Sequence, residues 1–188
     1  HILAAKPECV SRDKQGNILI KNGFEWMNAI HPEVQDFLLD LVTEELVNYE
    51  VAGIQGDDRL PAMPSEGGYS SYTQELYKLQ TGLMVPDDPK ETKFLDWKAD
   101  QLSLFAGRLF ETVKSYNTDV IVSMAPSVYP WSKEQYLQDW PQWLADGSLD
   151  ELIPQNYRWD IESYELTLEE LVTSYKAAKQ PNASVRFS

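Results

Sequence analysis

Asp57 and Asp58 stand side by side at the end of the apolar stretch VAGIQG, and Arg59 follows at once. A carboxylate at the end of a strand can attack an electrophilic carbon or stabilise positive charge that develops there. It can also hold a hard cation. Side chains alternate along a strand. Ile54 is therefore expected to face a covering layer, Gln55 and Asp57 to share the opposite face, and Asp58, with the parity of Ile54, to turn towards the rim. The plain structural alternative is that the two acids cap amides of the following loop or pair with Arg59 or Lys98. If one carboxylate attacks or stabilises charge, a separate proton donor is needed, and a second carboxyl can be that donor. Asp160, just after a later expected strand, is the first candidate and Glu66 the second, although both are also the kind of acid found on any surface.

No metal is expected. His1, His31 and the single cysteine, Cys9, have no ligand spacing. Neither Asp57-Asp58 nor Asp87-Asp88 lies in an EF-hand loop. No glycine-rich phosphate loop follows an expected strand, so no nucleotide cofactor is expected either.

The elements that must position these residues alternate in type. A helix is expected over residues 32–49, with Val34, Phe37, Leu38, Leu41, Leu46 and Val47 at helical spacing. Pro32 suits its first position, Glu33 and Asp36 suit its positive end, and His31 is the expected cap. A strand over 51–56 runs into the acid pair, and an irregular loop is expected from 59 to 91. Then come a long helix, lined by Leu95, Leu102, Phe105, Leu109 and Val113, and the strand DVIVSMAPS. A helical segment broken at Pro141 and stopped by Gly147, the strand LDELIPQNY, the helix TLEELVTSYKAAKQ and a final strand in ASVRFS complete the order. Near the start, DKQGN reads as a turn and NILI as a short strand.

Strands alternating with helices imply a parallel sheet. A doubly wound sheet and a (β/α)8 barrel both meet that pattern. The barrel is favoured because polar residues gather at the strand ends: Asp57 and Asp58, then Ser123 to Ser127, then Gln155 to Tyr157. The expected fold is an incomplete TIM-type barrel of about four β/α units, roughly half the eight that closure needs.

The formal net charge of −14 repels nucleic acid and anionic membrane, so neither is an expected partner. One cysteine excludes an intramolecular disulfide. No apolar run is long enough to span a membrane and no signal peptide is visible. The chain starts at His1 rather than Met, so a preceding segment is expected.

Five segments, in order, resemble those of the glycosyl-hydrolase-like family 10: LAAKPECVSRDKQGN, HPEVQDFLLDLVTEELVNYEVAGIQGDD, FLDWKADQL, VIVSMAPS and LDELIPQNYRW. The resemblance implies a bacterial (β/α)8 barrel, with residues 1–188 as the central part of one domain that lacks its first and last strands. It implies hydrolysis of O-glycosidic bonds in a polysaccharide or cell-envelope glycan, outside the cytoplasm. In that setting Asp57 is the nucleophile or the stabiliser of an oxocarbenium-like transition state, Asp58 a supporting acid or rim ligand, and Asp160 the general acid. Gln55, Arg59, Gln155 and Tyr157 would bond the sugar, and Tyr157, Trp159, Tyr129 and Trp131 would stack on it. Trp97, Trp140 and Trp143 fall on helices and are expected in the core. Two departures stand out. The family's His-Phe-Asp-Asp-Tyr reads Gln55-Gly56-Asp57-Asp58-Arg59, and its Trp after Pro-Glu is Cys9. They keep open a non-catalytic carbohydrate-binding barrel and an inactive structural fragment. Open sheet edges would also favour self-association.

Overall fold

The structure is a computed structural model and describes residues 2–178 and 184–185. A short helix α1 (Ile2–Ala5) and a 3-10 turn (Pro7–Cys9) lead to a small antiparallel hairpin, β1 (Ile20–Lys21) and β2 (Phe24–Glu25). Asn22 and Gly23 make its tight turn with φ of 54° and 77°. Asn-Gly takes two successive left-handed residues at low cost, which is why a hairpin forms there. The strand expected over 17–20 contributes only Ile20 to it, while Ile18 makes an isolated bridge to Arg12.

The main sheet contains β3 (Gly53–Gly56), β4 (Ile121–Met124), β5 (Glu151–Leu152) and β6 (Ser184–Val185). All are parallel and lie in sequence order. A doubly wound sheet reverses its strand order at a switch point. No reversal occurs among the described residues, and the α/β expectation with a parallel sheet holds. Sequential order is also that of a (β/α)8 barrel, but the described strands do not close one. Of the expected final strand, Ser184 and Val185 pair with β5; the rest lies outside the described residues.

Helices fill the connections: α2 (Pro32–Asn48) precedes β3; α3 (Ser71–Thr81) and α4 (Thr92–Tyr116) precede β4; α5 (Trp131–Tyr136) and α6 (Trp140–Ala145) precede β5; α7 (Ile161–Ala177) precedes β6. Helices α2, α4, α6 and α7 pack side by side in that order. They share one core with the sheet, in which Ile54, Val122, Met124 and Leu152 meet Leu109, Val113, Trp140, Trp143 and Leu171. Burying each large side chain there contributes about 1.5–3 kcal/mol. Trp97, Trp140 and Trp143 are buried, as expected of helix tryptophans.

Several expectations need correction. The apolar face assigned to α2 was right in part: Val34 is buried and Leu38 and Leu46 pack against the core, but the rest of the set does not. Val34, Leu39 and Val42 are buried, whereas Phe37, Leu41 and Val47 are exposed. The helix is apolar on two sides, so periodicity alone could not choose. The long loop holds α3, capped by the Ser70 hydroxyl on the Thr73 amide and stopped by Gly82 at φ 74°. Its Tyr77 is buried, and Gly and Ser on either side of the helix masked its spacing. The break in the α5–α6 segment lies at Leu137, with φ 62°, and Pro141 sits in the first turn of α6. Helix α7 begins at Ile161, six residues before the expected TLEELV, because Asp160 caps it. The His31 cap is as expected: its Nδ1 accepts from the Glu33 amide at 3.3 Å.

Candidate active site

The acid pair lies where β3 ends. Ile54 is buried, Gln55 exposed, Gly56 buried and Asp57 exposed, so alternation carries through the strand into the turn. Asp58 is half-buried. A Cβ at Gly56 would sit 2.2 Å from the Leu60 carbonyl oxygen and 2.7 Å from Met124 Sδ. Only glycine lets the chain fold back this closely over the strand. The Gly56 carbonyl accepts from the Ala125 amide at 2.7 Å, which ties the turn to the end of β4.

Asp57 Oδ1 accepts from the Arg59 amide at 2.9 Å, an Asx turn. Its Oδ2 has no protein donor among the described residues. Asp58 Oδ1 lies 3.6 Å from Arg59 Nε, and the Arg59 guanidinium stacks 4.4 Å from the Phe24 ring centre and 5.9 Å from that of Trp26. The local alternative is therefore realised: one acid caps a loop amide and the other pairs with Arg59. Neither reaches Lys98. Asp57 still presents an exposed carboxylate on the same face as Gln55.

The β1–β2 hairpin and the loop after Arg59 wall one side. Leu19, Trp26, Ala62 and Tyr136 form a small cluster. Asn22 Nδ2 donates to Tyr136 Oη at 2.7 Å, and Lys21 Nζ lies 3.0 Å from Glu66. Glu66, the second-choice acid, is thus ion-paired, with Lys90 a further 3.9 Å away. Lys98 was missed as more than an alternative partner. It is fully buried and donates to the carbonyls of Ser65, Gly67 and Pro89, the last two at 2.9 Å. Its ammonium lies 4.3 Å from the Phe94 ring centre, and burial pushes its pKa down to about 7. One lysine thereby pins both ends of the long loop to α4.

The ends of β4 and β5 form a groove of about 400 Å³, lined among others by Ser127, Tyr129, Trp131, Gln155, Tyr157 and Arg158. Gln155 pairs with Ser127 in a parallel bridge and donates to the Ala125 carbonyl at 2.9 Å. Ala125 thus touches both sides, through its amide to Gly56 and through its carbonyl to Gln155. Tyr157 is 80% exposed and Trp159 104%, so neither belongs to a core. Tyr129 packs edge-on against Trp140 at 5.7 Å. Arg158 and Glu170 also line the groove and were not foreseen. Arg158 is set by bonds to Thr167 Oγ1 at 3.0 Å and to the Tyr157 carbonyl at 2.8 Å.

Asp160 stands apart from that groove. It caps α7, accepting from the Ser163 amide at 2.8 Å and the Ser163 hydroxyl at 2.9 Å. Those two bonds hold its carboxyl below the ordinary value. A general acid needs the opposite shift. Elsewhere, Glu8, Cys9 and Glu33 bring ligand atoms within 4.8 Å of one another, but Lys6 already pairs with Glu33.

The family model described as Glycosyl hydrolase-like 10 matches residues 1–186. The chain belongs to that family. Its fold is similar to the glycoside hydrolase domain of PgaB (BpsB) from Bordetella bronchiseptica, with a TM-score of 0.64 and 17% identity, over 91% of this chain and 52% of that one. The chain therefore spans about half the length of this neighbour. At that identity the likeness is one of fold. Among curated proteins no sequence matches. Family and fold together support a carbohydrate-related function. Among the described residues no helix is long and apolar enough to cross a membrane.

Proposed function

We propose that the complete protein is a glycoside hydrolase acting on a bacterial cell-envelope polysaccharide, with its cleft at the C-terminal ends of the strands of a (β/α)8 barrel. The observation that carries this reading is the exposed Asp57 carboxylate at the end of a parallel strand, held by the Arg59 amide, on the strand that pairs with the one leading into an aromatic groove. In this reading Asp57 is the nucleophile, or the stabiliser of an oxocarbenium-like transition state. Its bonded Oδ1 fixes the carboxylate plane and leaves Oδ2 to face the anomeric carbon. Asp58 orients Arg59, and Gln55, Arg59, Gln155 and Tyr157 contact the sugar. Trp159 and Tyr157 are rings that stack on apolar sugar faces. Asp160, held in its cap, is the weakest of the assignments. A separation of about 5 Å between the two reacting carboxyls would give retention and one of about 6.5–9.5 Å inversion. The site lies outside the cytoplasm in this proposal. Among the described residues β3 is an edge strand, and this edge is the surface through which the 188-residue chain alone would self-associate.

The test is release of new reducing ends from a panel of cell-envelope polysaccharides by the full-length protein. Turnover that vanishes in Asp57→Asn supports the proposal. A second reading, a carbohydrate-binding barrel without turnover, is favoured by the local engagement of both acids. Saturable binding of a polysaccharide with no new reducing ends would select it.

A further inference from the structure

Gln138 is fully buried, and each end of its side-chain amide is used. Its Nε2 donates to the carbonyls of Asp58 and Pro61, each at 3.3 Å. Its Oε1 accepts from the Ser127 amide at 3.4 Å. The residue is itself held in place: its carbonyl accepts from Ser132 Oγ at 2.9 Å, and its amide donates to the Ser132 carbonyl at 3.2 Å. Leu137, just before it, takes φ 62° where α5 stops, and this turn aims the side chain inward.

The three backbone groups belong to the two halves of the candidate site. Asp58 and Pro61 are the first and last residues of the turn that follows Asp57, and Ser127 lies three residues beyond β4 and lines the aromatic groove. Two carbonyls need donors and one amide needs an acceptor. A primary amide is the side-chain head group that offers two N–H groups and a carbonyl together. Asparagine is one methylene shorter, an ionised glutamate only accepts and a lysine only donates. A buried amide satisfied at every bond favours one arrangement of its partners over looser ones.

We infer that Gln138 is a positioning residue that locks the Asp57–Asp58 turn against the end of β4 and so sets the distance between the reacting carboxylate and the aromatic groove. The catalytic part rests on the reading of Asp57 given above; the structural part does not. Two measurements on the full-length protein separate them. The first is residue-resolved amide hydrogen exchange in Gln138→Met. Protection of the Arg59 amide, which reports the Asp57 side-chain bond, should fall at least about 10-fold while amides of α4 keep theirs. Unchanged Arg59 protection, or an equal loss across the whole chain, overturns the inference. The second is steady-state turnover. A shift of about 1 Å in a reacting group lowers kcat about 100-fold, so kcat should fall to that extent with KM within a factor of about three. A KM effect with kcat unchanged overturns it.

Should Gln138→Met fail to fold, Gln138→Glu keeps the acceptor for Ser127 and regains one donor when protonated. Arg59 protection relative to wild type should then recover as pH falls from about 8 to 5. A deficit independent of pH overturns the inference. If the wild-type protein cleaves no polysaccharide, the glycosidase reading fails while the exchange result still decides the role of Gln138.

Discussion

After β3 the chain dives into a buried loop; after β5 it runs out over the surface. Met63 and Ser65 are fully buried, and the loop that carries them has little regular structure before α3. It is held by its backbone. The amides of Met63 and Ser65 donate to the carbonyls of Tyr136 and Gln135 at 3.1 and 3.0 Å, Gln138 holds Asp58 and Pro61, and Lys98 holds Ser65, Gly67 and Pro89. Buried loops are uncommon because their polar groups need partners. Here buried side chains supply them. The β5 end is held by Gln155, which donates to the carbonyls of Pro126 and Ala125, and by Asn156 and Arg158, which bond to Tyr164 and Thr167, while the rings of Tyr157 and Trp159 are exposed. A reacting carboxylate needs a fixed frame, because displacement raises the barrier. Stacking rings tolerate movement, because a sugar face orders them on contact. Under the proposed function the two strand ends would divide the work on that basis.

Asp57→Asn is expected to have the largest effect and tests the fixed half of the comparison directly. Asparagine keeps the oxygen that accepts from the Arg59 amide, so folding is retained. Turnover by the full-length protein should fall by about three orders of magnitude or more, and Asp58→Asn should cost about tenfold. Equal and small losses in both variants would mean that the turn is only a cap.

Lys98→Met tests whether the loop depends on its pin. Leaving the three carbonyls without that donor should cost about 3 kcal/mol and lower Tm by about 10 °C. The same residue predicts a pH dependence. Its folded-state pKa of about 7 lies below the ordinary lysine value of 10.5, so the unfolded chain holds the proton across that window. Its contribution to stability is fully present above the unfolded value and is lost as pH falls to about 7. Denaturant titrations at pH 6 and pH 9 should show wild type gaining stability relative to Lys98→Met at the higher pH. No difference in slope would show that the three carbonyls hold the ammonium charged throughout.

Tyr157→Ala and Trp159→Ala sharpen the mobile half. Both rings are exposed, so Tm should stay within about 1 °C, and KM for polysaccharide should rise roughly tenfold with kcat unchanged. A large loss of Tm in either variant would mean that these rings pack rather than bind. The smallest effect is expected at Asp160. Asp160→Ala removes the α7 cap and should lower Tm by a few degrees. Its carboxyl is held below the usual value by Ser163, so its contribution is present above about pH 4 and fades as pH drops further. Loss of turnover with an intact helix would instead restore Asp160 as an acid.

Local patterns were enough for much of the frame. Helix α2 starts at Pro32 under His31, α4 buries Leu102, Phe105, Leu109 and Val113, and the strand VAGIQG leads into Asp57 and Asp58 with the expected alternation. These follow from cap chemistry, periodicity and strand parity, which act between residues a few positions apart. Only the tertiary structure decided the rest. It chose which apolar side of α2 is buried, because both sides carry apolar residues and only the packing of α4 separates Leu39 from Leu41. It turned Glu66 into an ion-pair partner of Lys21, 45 residues away, whereas the Asp160 cap on Ser163 is local. Most of all, it placed Gln138 80 residues along the chain from Asp58, and Lys98 33 from Ser65. Both bond to backbone carbonyls, which every residue type carries, so no sequence pattern marks the partner.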